Sequence, residues 1–219
     1  QGRTWTVGAL VADIANPFFA DLVRGLEDAL WAQGYSLAIC STDYDPAKET
    51  AFLRLLLDKR MDGLILASTA SDSDEVPKLR RLGVPYVLLN RRHVSEPSDY
   101  VGMANAAGTA AAVAHLAGLG HRRIAFIRGP TRSSAAGERL EGYRREMKRR
   151  FGRVDPALIA PGDYAAEQGR AAVERFLALP RPPTAIVAAN DFMALGAMER
   201  LQERGLSVPG DVSVTGFDD

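Results

Sequence analysis

The sequence predicts an α/β protein of two lobes, each a doubly wound parallel sheet with helices on both faces. Short apolar runs rich in Val, Ile and Leu alternate with longer stretches of helical period, the pattern of repeated strand–helix units. The connections are short, and consecutive units joined this way build parallel sheets covered on both faces. The rhythm breaks once, from Arg91 to Asn105, where an arginine pair, Ser95-Glu96-Pro97-Ser98 and a short Tyr100-Val101-Gly102 precede an Ala-rich stretch. A closed barrel would need no such bridge, so the break is read as a crossing between lobes at residues 1–102 and 103–219.

The elements follow in order. Thr6 to Val11 reads as the first strand. Asn16 can cap the helix after it, Pro17 fits the first helical position, and Phe19, Leu22, Val23, Leu26, Ala29 and Leu30 recur at steps of three and four until Gly34. The second strand, Ser36 to Cys40, leads to a helix from Pro46 to Lys59, and the third, Gly63 to Ala67, to a helix from Ser73 to Leu82. Tyr86 to Leu89 is the fourth strand. Beyond the crossing, a helix over Ala106 to Leu119 precedes strand Arg123 to Ile127, and a helix over Ser134 to Phe151 precedes strand Ala157 to Ala160. A helix over Ala165 to Leu179, strand Ala185 to Ala189, a helix over Phe192 to Arg204 and strand Val212 to Gly216 complete the pattern. Most strands are continuously apolar, as strands buried on both faces are.

Composition narrows the function. The 219 residues hold 27 Lys and Arg against 27 Asp and Glu, a balance that argues against gripping nucleic acid or anionic membrane by bulk charge. The single cysteine, Cys40, excludes an internal disulfide framework and reads as a small core residue. No apolar run approaches the roughly eighteen residues of a membrane span. His93, His115 and His121 fit no zinc pattern, so no metal and no cofactor is expected. Gly118-Leu119-Gly120 follows a helix rather than a strand, which makes it a helix end and not a dinucleotide fingerprint. No phosphate-binding loop or nucleophile elbow occurs, and no nucleophile and base are expected together. The basic run Arg144 to Arg150 reads as a solvated helix face above Tyr143, Met147 and Phe151.

Binding chemistry collects elsewhere. Open parallel sheets bind ligands beyond the carboxyl ends of their strands, where helices begin. Asn16, Phe18 and Phe19 follow the first strand; Asn90 and Arg91 follow the fourth; Arg139 lies early in the helix after the fifth; Tyr164, Asn190 and Asp218 follow the sixth, seventh and eighth. Aromatic faces, planar arginine forks and amide or carboxylate groups suit a small polyhydroxylated ligand. Each residue alone has a plainer use, Asn190 as a cap, Phe19 in the core, Arg139 in an exposed ion pair with Glu138 or Glu141. The expectation is that Arg139 contacts ligand and is not an element of the fold.

Several segments resemble one family. Asn16-Pro17-Phe18-Phe19, Lys59-Arg60-Met61-Asp62-Gly63-Leu64-Ile65, Gly120-His121-Arg122-Arg123-Ile124-Ala125-Phe126-Ile127, Arg139-Leu140-Glu141-Gly142-Tyr143, the run from Ala189 to Ala197 and the run from Val208 to Asp219 are similar to the effector-binding core of LacI/GalR transcriptional regulators. The likeness covers the whole chain and extends to ribose-type periplasmic sugar-binding proteins, with the Val208 to Val214 segment closer to the repressors. It implies the type I periplasmic-binding-protein-like fold and a sugar-like effector in the cleft between lobes. Phe18 and Phe19 would flank the sugar ring, with Tyr164 as a further aromatic wall. Asn16, Arg139, Asn190 and Asp218 would hold hydroxyls. Asn90-Arg91 and Ala12 depart from the transport proteins, which carry Asp-Arg and a small hydroxyl residue there, so the ligand need not be ribose. The resemblance further implies a cytoplasmic homodimer without catalysis, a helix-turn-helix before this chain and about fifty residues after it. The alternative it implies is a periplasmic sugar-binding protein of an uptake system.

Overall fold

The computed structural model describes residues 2–218; Gln1 and Asp219 lie outside the described residues, Asp219 being the last residue of the motif noted above. The chain forms two compact units, one ending at Met103 and the other beginning at Ala104.

The first unit runs β1 (Thr6–Val11), α1 (Pro17–Trp31), β2 (Ser36–Ser41), α2 (Pro46–Asp58), β3 (Gly63–Leu66), α3 (Glu75–Leu82), β4 (Tyr86–Leu89) and β5 (Tyr100–Val101). Its sheet has the order β2-β1-β3-β4-β5, parallel throughout. The first helix starts as its sequence requires: the Asn16 side chain accepts the Phe18 N–H at 3.0 Å and Pro17 occupies the first turn. After it, Gly34 takes a φ of 77°, a left-handed value that costs glycine little, and the Tyr35 N–H returns to the Leu30 carbonyl at 2.9 Å. One face of the sheet packs Leu53 and Leu56 of α2 and Val76 and Leu79 of α3 on Leu10, Leu64, Leu66 and Leu88. A separate cluster joins Phe19 and Val23 of α1 to Val11, Ala12 and Ala67.

Two expectations need correction here. The crossing segment contains a fifth strand, because the Leu88 N–H finds the Asp99 carbonyl at 2.9 Å and the Asn90 N–H finds that of Val101 at 2.8 Å. Two residues are too few to show a period in the sequence. The second strand is not buried on both faces: as an edge strand it leaves Ile39 43% exposed.

The second unit runs α4 (Asn105–Gly118), β6 (Ile124–Ile127), α5 (Ser134–Phe151), β7 (Ile159–Ala160), α6 (Ala166–Leu177), β8 (Ala185–Ala188), α7 (Asp191–Glu203) and β9 (Ser213–Thr215). Its parallel sheet has the order β7-β6-β8-β9. All residues of β6 and β8 are buried. The strand expected from Ala157 is shorter because Pro156–Leu158 forms a 3-10 turn, capped by the Asp155 carboxylate on the Ala157 N–H at 3.0 Å. Helices pair closely through glycine. A Cβ on Gly142 would strike the Ala106 carbonyl, locking α4 to α5, and one on Gly196 would strike that of Ala166, locking α6 to α7. Tyr143 stacks on Phe126 at 4.9 Å and donates its hydroxyl to the Ile124 carbonyl at 2.8 Å. On the outer face of α5, Arg144, Arg145, Lys148, Arg149 and Arg150 are exposed, and bonds from Arg149 and Arg150 hold the Glu146 carboxyl well below the usual range.

Candidate functional site

In each unit the strands end where helices begin, and the residues singled out above stand at those ends. In the first unit, Asn16 is 7% exposed and its Oδ1 caps α1, while the half-buried Phe18 ring stands edge-on to Phe19 at 5.0 Å. Phe19 belongs to the core, because the period of α1 turns it onto the sheet, so Phe18 is the ring left with an open face. After β4, Asn90 holds a φ of 63°, a conformation a non-glycine residue rarely keeps away from functional sites. The Arg91 guanidinium is buried, donates through Nη1 to the Ser68 carbonyl at 2.7 Å and lies 5.3 Å from the centre of the Tyr44 ring. Glu49 stands nearby, buried and hydrogen-bonded by the Ser73 hydroxyl at 3.1 Å, and burial pushes its carboxyl up.

Sequence reasoning passed over Ser68 and Thr69. They follow β3 as Asn90 follows β4, and applying the strand-end rule to the third strand would have found them. Both are 4% exposed. The Ser68 and Thr69 hydroxyls, Asn90 Oδ1 and Arg91 Nε are buried without a hydrogen-bond partner in the protein. An unmet buried polar atom costs about 1–3 kcal/mol, so four in one place mark a surface shaped for a polar ligand.

In the second unit the expected residues form one connected cluster. Asn190 is 2% exposed; its Oδ1 caps α7 on the Met193 N–H at 3.1 Å and its Nδ2 donates to the Tyr164 carbonyl at 3.0 Å. Tyr164 holds a φ of 80°, and its hydroxyl meets that of Ser133 at 3.2 Å. Arg139, 2% exposed, donates through Nε to Asn105 Oδ1 at 2.8 Å and through Nη1 to the Ala189 carbonyl. Its Nη1 lies 3.4 Å from Asp218 Oδ1, and its guanidinium covers the Phe217 ring at 3.8 Å. Burial raises the Asp218 carboxyl to about 6, with Arg139 opposing and Asp191 adding to the rise. The expectation that Arg139 is no element of the fold is therefore corrected: its reach from α5 carries a five-donor group into buried acceptors on α4 and beyond β8. Asn105, Ser133 and Phe217 were missed, because nothing in their spacing separates them from a helix start, a cap and an apolar residue.

A nucleophile and a base do come together, contrary to expectation, at the opposite edge of the same sheet. His121 Nε2 lies 3.0 Å from the Ser213 hydroxyl and Nδ1 2.8 Å from that of Thr184. These residues border the amino ends of β6, β8 and β9, and hydroxyls meet the ring on both sides where a triad needs a carboxylate on one. The pair ties strand starts together. Among the described residues no group of three or more His, Cys, Asp and Glu is arranged to hold a metal, and no helix is long and apolar enough to cross a membrane.

Comparison with known proteins accounts for this layout. Residues 4–219 match the family described as periplasmic binding proteins and the sugar binding domain of the LacI family. The chain belongs to that family. It is 35% identical over 218 residues to the ribose operon repressor of Escherichia coli K12, covering 99% of this chain and 66% of that protein. It is also 35% identical over 218 residues to the transcriptional repressor CytR of the same strain, covering 100% of this chain and 64% of that protein. Among solved structures, the transcriptional regulator CelR–cellobiose complex superposes with a TM-score of 0.90 at 33% identity, over 99% of this chain and 68% of that chain. The chain spans about two thirds of the length of the curated relatives it matches. In this family's terms, each unit is one parallel sheet with its polar groups gathered at the carboxyl ends of the strands.

Proposed function

We propose that this chain is the ligand-sensing core of a LacI-family transcriptional regulator, that its effector is a sugar-like small molecule, and that the effector controls DNA binding by a helix-turn-helix outside these residues. The observation that carries the reading is the set of buried, unmet polar groups at Ser68, Thr69, Asn90 and Arg91, taken with the Arg139, Tyr164, Asn190 and Asp218 cluster. A ligand held by Asn16, Phe18, Asn90 and Arg91 on one unit and by Arg139 on the other stabilises whichever arrangement lets both units reach it, through its differential affinity. The regulator works in the cytoplasm as a homodimer without turning its ligand over and without a cofactor. Leu195 and Met198, 52% and 40% exposed one turn apart on α7, support a second copy as partner.

The alternative, a periplasmic protein of an uptake system, shares the fold. The relatives cited above are repressors and regulators, which favours the regulator. A gel shift with the full-length protein and the DNA upstream of its own gene tests it: a shifted band that D-ribose, cellobiose or another neutral sugar releases or strengthens is expected. A protein that ignores this DNA with and without every sugar overturns the regulator reading.

A further inference from the structure

Resting on the proposed function, one residue outside the expected site controls how that site presents its arginine. Asn105 opens α4 and is 1% exposed. It accepts the Arg139 Nε–H on Oδ1 at 2.8 Å and donates from Nδ2 to Glu138 Oε2 at 2.9 Å. The amide has only one orientation that works. A guanidinium donates and never accepts, and a carboxylate accepts, so the carbonyl must face Arg139 and the NH2 must face Glu138.

Glu138 and Arg139 are sequence neighbours on α5, and neighbouring residues on a helix do not face each other. The amide joins them all the same, bringing the carboxylate's influence to Nε while leaving the guanidinium fork clear. Nη1 is taken by the Ala189 carbonyl and Asp218, and the Phe217 ring holds the plane. Nη2 is the nitrogen that none of these bonds uses. An arginine side chain has many rotamers, and two anchored nitrogens fix both the position and the tilt of the third. We infer that Asn105 is a positioning residue for the effector: held by Glu138, it aims the Arg139 guanidinium so that Nη2 meets a ligand oxygen, without touching the ligand itself.

Two measurements on the intact protein test this. In 15N-labelled protein, Arg139 Nε–H gives an exchange-protected signal that Asn105→Ala abolishes. The double variant Asn105→Asp/Glu138→Gln, which swaps amide and carboxylate along the same relay, keeps the signal and so separates lost aim from lost folding. In calorimetric titration with D-ribose or cellobiose, Asn105→Ala weakens binding about tenfold, and in an Arg139→Lys background it weakens it no further. A merely structural residue would lower affinity equally in both backgrounds, and that result, or unchanged affinity in Asn105→Ala, overturns the role. If the wild-type protein binds neither sugar, the proposed effector class loses its support, and the Arg139 signal still decides the inference: its persistence in Asn105→Ala refutes the positioning, and its loss with recovery in the double variant upholds it.

Discussion

Replacing Arg139 by alanine should lower the stability of the unliganded protein, in a way that depends on pH. The substitution orphans Asn105 Oδ1 and the Ala189 carbonyl, both buried, and removes the cation beside Asp218. Two orphaned acceptors cost about 1–3 kcal/mol each. Against this stands about 1.5–2 kcal/mol of side-chain entropy that the folded arginine no longer loses. The net loss is about 2–3 kcal/mol, or about 5–10 °C in melting midpoint for a chain of this size. The Asp218 carboxyl, already raised to about 6, climbs further without Arg139. A carboxyl raised on folding contributes stability that is present at acid pH and lost as pH rises through its folded value. The deficit of Arg139→Ala should therefore be larger at pH 7.5 than at pH 5, where Asp218 is mostly protonated in both proteins. Thermal unfolding at the two pH values measures it. Midpoints equal to wild type at both would show that the buried bonds of Arg139 contribute nothing, and would return it to the role of a free ligand contact.

The close helix pairs give a second expectation: Gly196→Ala forces a methyl against the Ala166 carbonyl and should cost about 1–3 kcal/mol in denaturant unfolding, whereas Gly137→Ala, where the methyl meets open space, should not destabilise. A third concerns Asp218→Asn, which cannot ionise: the wild type should lose stability relative to this variant as pH rises through about 6, and parallel stability curves from pH 5 to 8 would contradict that.

Long, periodic elements were legible from sequence because their signals are local. The helix Ser134–Phe151 and the strands Thr6–Val11 and Tyr86–Leu89 occur with the bounds read from apolar spacing and caps. Tyr100–Val101 was not legible as a strand, since its only support is pairing with Leu88 and Leu89, a contact between segments. The candidate site divides the same way. Strand-end position located Asn90, Arg91, Tyr164 and Asn190, but not what each does there. Asn190 has both ends of its amide taken within the second unit, and Arg139 is held by an asparagine that stands 34 positions earlier. Hydrogen bonds across such separations leave no period in the sequence. The Ser213–His121 contact, 92 positions apart, escaped for the same reason.

The most direct test of the central claim, that these residues bind a sugar-like effector without turning it over, is a thermal-shift and calorimetric screen of the protein. The panel would hold neutral sugars, sugar phosphates, nucleosides and purines. A ligand that binds only the folded state at about a hundred times its Kd adds about 2.7 kcal/mol of stability, a shift such a screen resolves. At least one neutral sugar should raise the midpoint, bind in calorimetry and be recovered chemically unchanged. A protein that responds to purines alone, to nothing in the panel, or that consumes the sugar it binds would contradict the account.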